Sequence, residues 1–256
     1  LSETPYSFQV TALAGIPLVQ PGDDLIRLIL DGLVASDLTV KTGDVLVITS
    51  KIISKAEGRT VRLADVQPGP DAYHYAEVTG KDPRLVELVL RESSVVSRAS
   101  KGVLVVEHKL GFVCANAGID QSNTEGGSNV ALLLPTNPDA TAAQLRDNLR
   151  SATGAAMGIV ISDSHGRPFR MGNIGVAIGV AGIPALLDLR GANDLYERKL
   201  QITIQGYADL IASTAQLASG EGSEGRPVVH IRGLNIPMGD GKGTDLNRPR
   251  QNDLYR

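Results

Sequence analysis

Two aspartates, Asp120 and Asp163, each follow an apolar run and lie among glycines and small polar residues, where rigid strands can aim both carboxylates at one point. Oxygen donors of this kind suit a hard cation such as magnesium or manganese, commonly held by one or two carboxylates together with substrate phosphates. Ser164 adds a hydroxyl and Glu221 a third carboxylate. The spacing alone fits a simpler reading equally well, in which Asp120 and Asp163 cap turns or helices. Lys51, Lys55, Arg167 and Arg170 place cations near the same strand ends, and the planar guanidinium fork matches phosphate or carboxylate oxygens. The glycine-rich stretch 220–227 is either a solvated turn or a cradle of N–H groups for phosphate. Taken together, these residues describe a site for an anion and a metal, whereas each charge taken singly is an ordinary surface residue.

Other reactive side chains fit less well. His165 sits beside Asp163 and invites a ligand or general-base reading, but its candidate neighbours are oxygen donors and no second histidine has ligand spacing. His74, His108 and His230 are expected to be structural or solvated. Cys114 lies in an apolar stretch and reads as a buried, inert thiol. No Ser-His-Asp arrangement follows from residue order. The stretch 239–244 superficially resembles a phosphate loop, but Lys242 is followed by Gly243 instead of the Ser or Thr that would reach magnesium, so a flexible surface loop is expected.

The elements that must position these groups alternate short β-branched runs with amphipathic segments, which indicates a mixed α and β fold. An apolar strand is expected over 45–49, ending at Ser50 and Lys51. A helix opens at Pro83 with Asp82 as its N-cap. Residues 102–106 and 111–114 read as a hairpin leading into the polar loop 116–123. A helix is expected over 141–149, a buried strand over 157–161 that stops at Ser162, and a further strand over 199–204. Small residues Ala208, Ile211, Ala215 and Ala218 line one face of a helix over 207–218, and 228–231 reads as the last core strand. The tail 237–256 is polar.

Composition sets the outer limits. At 256 residues the chain is long enough to bury a substantial core without a staple. One cysteine rules out an internal disulfide and, with no stretch patterned as a signal peptide, points to the cytoplasm. Leu1 is not an initiator, so the natural N-terminus can lie outside the given chain. No apolar run is long enough to span a membrane. A formal charge of −3, scarce aromatics and no tryptophan argue against a nucleic-acid partner.

Several linked motifs then occur in order: Gly15-Ile16-Pro17-Leu18 with Pro21-Gly22-Asp23-Asp24; Gly43-Asp44-Val45-Leu46 running to Ser54-Lys55-Ala56-Glu57-Gly58-Arg59; and Asn116-Ala117-Gly118-Ile119-Asp120 with Ser122-Asn123. They continue with Asp163 and Gly166-Arg167, Asp194-Leu195-Tyr196, and Gly220-Glu221-Gly222. In these the chain resembles the coenzyme F420-0 L-glutamate ligases, or F420 gamma-glutamyl ligases, over about Gly15 to Gly233. The resemblance implies an α+β, mixed-sheet, two-lobed fold unrelated to the P-loop enzymes, occupying residues 1–236 and forming an intertwined homodimer. It implies GTP contacts from Ile16, Pro17, Leu18, Val19, Ser50, Lys51, Lys55 and Asn123, with Gly220, Gly222, Ser223, Glu224, Gly225, Arg226 and Pro227 closing over the nucleotide. Divalent metals, manganese or magnesium with potassium as helper, would lie on Asp120, Asp163, Ser164 and Glu221. Asp120, Asp163, Lys55 and Arg167 would carry the chemistry, which joins L-glutamate to F420-0 through an acyl phosphate. Ser164 stands where the family often has threonine, which keeps the hydroxyl. The given chain reaches Arg256 without the flavin-binding domain of some two-domain relatives, so the ligase module alone is expected. A ligase for another acid or amino acid, a metal-dependent phosphohydrolase and a non-catalytic nucleotide-binding module are the rival readings.

Overall fold

The computed structural model describes residues 5–122, 127–235 and 237–253. Along the chain, β1 (Gln9–Ala12) precedes α1 (Leu25–Ala35), β2 (Val45–Thr49), α2 (Ser50–Ala56) and β3 (Thr60–Arg62). Next come α3 (Pro70–Thr79), α4 (Pro83–Arg91), β4 (Ser93–Ser100), β5 (Val103–His108), β6 (Val113–Ala115), β7 (Val130–Leu132) and α5 (Pro138–Thr153). The remaining elements are β8 (Gly158–Arg167), β9 (Arg170–Ala181), β10 (Leu186–Asp188), β11 (Ile204–Gly206), α6 (Tyr207–Ser219) and β12 (Val228–Arg232).

The main sheet has the order β1-β12-β2-β8-β9, antiparallel except where β2 runs parallel to β8. β2 and the first half of β8 are continuous apolar runs because both faces are covered there. Successive side chains point to opposite faces. Leu46, Ile48, Ile159 and Ile161 therefore join one buried cluster with residues of α1 and α5, while Val45, Val47 and Val160 join another with Ala208, Ile211, Ala212 and Ala215 of α6. The small face expected of α6 does permit close packing: a Cβ on Gly175 of β9 would sit only 2.5 Å from the Ala212 carbonyl oxygen.

A three-stranded sheet, β4-β5-β6, and the pair β3-β7 are packed by α3 and α4 around two further apolar clusters. The expected hairpin is the β5-β6 pair, joined on its other edge by β4, which the sequence reading did not anticipate. Asp82 caps α4 as expected, accepting from the Arg84 N–H at 2.8 Å. The result is a mixed α and β fold with a mixed sheet.

Three expectations need correction. The strand expected to stop at Ser162 continues to Arg167, because β9 supplies a ladder partner along the whole length. Beyond the apolar core the paired arm needs no apolar residues, so it reads as a loop. Its register shifts between Ile161 and Ser162, where Ile178 is the extra residue of β9, and Asp209 of α6 accepts the Ala177 N–H at 2.8 Å. The strand expected over 199–204 is only β11, paired with β10; Ile202 is 88% exposed, so its β-branched side chain marks no core strand. The stretch 239–244 is docked, not loose. Its glycines let the backbone approach, with Gly241 N–H donating to the Ile183 carbonyl at 3.0 Å and Gly243 N–H to Asp139 at 2.6 Å.

Candidate active site

The parallel pairing of β2 with β8 sets Thr49 opposite Ser162, so the chain leaves β2 into α2 beside Asp163. Ser50, the first residue of α2, donates its hydroxyl to Asp163 Oδ1 at 2.9 Å. The next residue, Lys51, pairs its ammonium with Asp120 Oδ2 at 2.6 Å. Two consecutive residues at one helix start thus gather two carboxylates that lie 43 residues apart in sequence, taking Asp120 and Asp163 at their numbers. Lys55 follows one turn later on the same flank of α2.

Asp120 is held by backbone and side chain together. Its N–H and carbonyl pair with Leu132 at 3.0 and 2.8 Å, and its carboxylate accepts the Ser122 N–H at 2.7 Å and the Ser122 hydroxyl at 2.9 Å. The approach to it is a tight left-handed turn through Asn116, Ala117 and Gly118, with φ of 52°, 53° and 64°. Such conformations cost non-glycine residues free energy and are retained where a loop must be aimed. Burial opposes ionisation of Asp120, but the Lys51 ammonium and the Ser122 donors outweigh it and hold its carboxyl below the usual range.

A second pair lies on the other face of β8. Ser164 donates to Glu221 Oε1 at 2.6 Å, Asn173 of β9 donates to Glu221 Oε2 at 3.1 Å, and the Gln216 amide of α6 bonds to both Ser164 and Glu221. Because side chains alternate along a strand, Asp163 and Ser164 point to opposite sides. Of the four proposed ligands, Ser164 and Glu221 are in direct contact, while Asp163 and Asp120 are held separately by the neighbouring Ser50 and Lys51. Among the described residues no group of three or more His, Cys, Asp and Glu side chains is gathered for one metal ion.

The stretch 220–227 spans the same neighbourhood. It leaves α6 at Gly220, φ 75°, and returns to the strand end, where the Thr49 N–H donates to the Pro227 carbonyl at 2.9 Å. Within it the Gly222 N–H donates to the Glu224 carboxylate at 2.8 Å, so the turn already cradles an anion of its own. Ser223, Gly225 and Arg226 are exposed in the same stretch.

Other expected residues are placed differently. Arg167 donates to the Met171 carbonyl at 2.9 Å, so its guanidinium braces the β8-β9 turn and does not meet the carboxylates. Ile16 and Val19 turn into the core, leaving Pro17 and Leu18, the latter 83% exposed, as side chains a ligand can reach. Asn123 lies outside the described residues. Cys114 is buried, and burial followed by the Asp163 charge pushes its thiol up to about 12, which makes it inert. Gln216 and Asn173 were missed because hairpin register and helix packing, not local pattern, bring them to Glu221. Two clefts of about 410 and 480 Å³ lie at the opposite end of β8 and β9, lined by Arg146 and Asp240, and share none of these side chains.

The profile of the F420-0:gamma-glutamyl ligase family matches residues 15–233. The chain belongs to that family. It is 45% identical over 246 residues to the coenzyme F420:L-glutamate ligase of Methanothermobacter thermautotrophicus, covering 94% of this chain and 96% of that one. The proteins of the same name from Methanocaldococcus jannaschii and Methanopyrus kandleri are 45% and 44% identical, over 85% and 93% of this chain and 86% and 93% of theirs. The chain is thus a ligase enzyme, and Asp120, Asp163, Ser164 and Glu221 lie within the matched region.

Proposed function

We propose that this ligase joins L-glutamate to F420-0 in coenzyme F420 biosynthesis, using GTP and passing through an acyl phosphate. The observation that carries the reading is the convergence of Asp120 and Asp163 on Ser50 and Lys51, within a chain of this family. A carboxylate is a poor electrophile and must be activated before an amine can take its carbon. In the proposed path a carboxylate oxygen of F420-0 bonds to the γ-phosphorus of GTP, and the bond to the GDP oxygen breaks. Glutamate's neutral amine then bonds to the acyl carbon, the carbon to phosphate-oxygen bond breaks, and an amide and inorganic phosphate result.

The donors fit hard divalent cations in that Asp120, Asp163, Ser164 and Glu221 offer only oxygens, and Lys51 would have to leave Asp120 Oδ2 to admit one. Asp120 and Asp163 would hold one manganese or magnesium ion and Ser164 and Glu221 another, with potassium as helper. Bound there, such ions neutralise charge that develops on the phosphate oxygens. Lys51 and Lys55 steer and balance the phosphates, Pro17 and Leu18 offer apolar surface, and the stretch 220–227 closes over the nucleotide with the N–H groups of 220–226, displacing the Glu224 carboxylate. Mass spectrometry after incubation with F420-0, GTP, manganese and L-glutamate should show a one-glutamate increment. GTP turnover that ignores glutamate would instead favour a phosphohydrolase.

The protein is further proposed to act in the cytoplasm as a two-lobed, intertwined homodimer. Supporting the dimer, Phe169 and Met171 at the β8-β9 turn are 92% and 96% exposed, and Leu217 on α6 is 89% exposed. Among the described residues no helix is long and apolar enough to cross a membrane. Light scattering at working concentration should give twice the chain mass of 27.0 kDa. A species of monomer mass alone would reject the dimer.

A further inference from the structure

We propose that His165 is a positioning residue that fixes the Asp163 carboxylate for a divalent cation, with Phe112 holding the imidazole in place. The inference rests on the reading of Asp120 and Asp163 as a cation site. His165 and Asp163 are two residues apart on β8 and so share a face. The imidazole Nε2 lies 3.0 Å from Asp163 Oδ2, while Ser50 donates to Oδ1. Each carboxylate oxygen thus has one donor, which stops the group from rotating and leaves its remaining lone pairs for a cation.

The imidazole is itself wedged. Its side chain is 12% exposed, its ring packs on Phe112 at 5.1 Å, and Phe112 stacks on His108 at 5.3 Å with 11° between planes. His108 is buried, and its Nδ1 accepts the Leu110 N–H at 2.9 Å. Burial first, and then the Arg59 charge, push its pKa down to about 4, so it stacks as a neutral ring and adds no repulsion to a cation nearby. This row of rings runs from the β5-β6 hairpin to β8. Asp120 follows β6 on the chain that leaves the same hairpin.

Other roles for His165 fit less well. With Nε2 turned to Asp163, that nitrogen is not available as a ligand to the same ion. Asp163 stands between Ser50 and His165, so the imidazole cannot take a proton from the Ser50 hydroxyl as a catalytic triad requires.

The test compares the full chain with His165→Gln, which keeps an N–H donor, His165→Phe, which keeps a ring without one, and Asp163→Asn. Manganese binding is read by the electron paramagnetic resonance of free Mn2+ in the absence of nucleotide, with circular dichroism and melting temperature as controls for folding. His165→Phe should raise the manganese Kd by about 10–100-fold, the usual effect of losing a donor behind a metal ligand. His165→Gln should recover most of that loss. If His165→Phe does not fold, Phe112→Leu provides the second route: it should raise the manganese concentration needed for half-maximal rate while leaving kcat at saturating manganese near the unaltered value. An unchanged Kd in His165→Phe, or in Phe112→Leu an unchanged manganese requirement, overturns the proposal while the cation site stands. Failure of the unaltered chain to bind Mn2+, or of Asp163→Asn to weaken it, overturns the cation site and this proposal with it.

Discussion

Asp163→Asn should leave a folded chain whose ligation rate at limiting manganese falls by about 1,000-fold, equivalent to about 4 kcal/mol of lost transition-state stabilisation. Asparagine keeps the shape of the side chain and an oxygen that Ser50 can still donate to, but sets an amide NH2 against His165 Nε2, so the loss combines the charge with that contact. Asp120→Asn should have a comparable effect with one addition. It also removes the anionic partner of Lys51, whose ammonium now sits 2.6 Å from the carboxylate. Both aspartates are partly exposed and lie at element ends or in the β8 arm, outside the apolar clusters, so melting temperatures should change little. Initial rates at limiting manganese, measured beside thermal melts, check the prediction. Normal turnover in both variants would remove these carboxylates from the reaction.

The largest effect on folding is expected at the opposite end of β2. Asp44 is buried and accepts from Arg232 Nε at 3.0 Å, from Arg232 Nη2 at 2.6 Å, from His230 Nε2 at 2.7 Å and from the Lys41 N–H at 2.8 Å. Asp44→Ala leaves those donors facing a void, and removing one member of a buried ion pair costs about 3–5 kcal/mol. Arg232 retains some contact with water, which favours the lower figure. Acid should erode the same contribution. Burial opposes ionisation of Asp44, yet the Arg232 and His230 bonds outweigh it and hold its carboxyl below the ordinary 3.8. Its contribution is therefore complete above that value and is lost as pH falls through the lower folded value. Urea unfolding should show a large gap between the two proteins at pH 7 that narrows below about pH 4. A gap of equal size at both pH values would mean that packing, not charge, carries the stability.

How legible the chain was depended on whether a feature is written locally. β2, β12 and α6 were readable because a core strand or helix face leaves an apolar run or a period of its own. Asp82 was readable because a cap has a fixed offset from the helix it starts. The polar arm from Ser162 to Arg167 was not, since its strand character comes only from pairing with β9. The small residues of 239–244 looked loose for the same reason: what holds them is the distant Asp139 and Ile183.

The site shows the same division. Residue types pointed to Asp120, Asp163, Ser164 and Glu221, but not to Asp163 and Ser164 facing opposite sides of β8, with Glu221 on the Ser164 side. That split follows from strand alternation once Asp163 and Ser164 are known to lie within a strand. Arg167 reads as an anion-binding cation, and only the hairpin shows that one of its N–H groups goes to the Met171 carbonyl. His165 was set aside as a ligand because the surrounding donors are oxygens; the structure gives it a neighbouring place, one donor behind Asp163.

The central claim is direct phosphorylation of the acceptor carboxylate, and isotope position tests it. F420-0 carrying 18O in its carboxylate is converted with GTP, manganese and L-glutamate in ordinary water, and the released phosphate is weighed, with glutamate omitted as a control. An oxygen that bridged carbon and phosphorus remains with phosphorus when glutamate's nitrogen takes the acyl carbon, so phosphate formed with amide should carry one 18O. Amide formed alongside unlabelled phosphate would contradict the acyl phosphate.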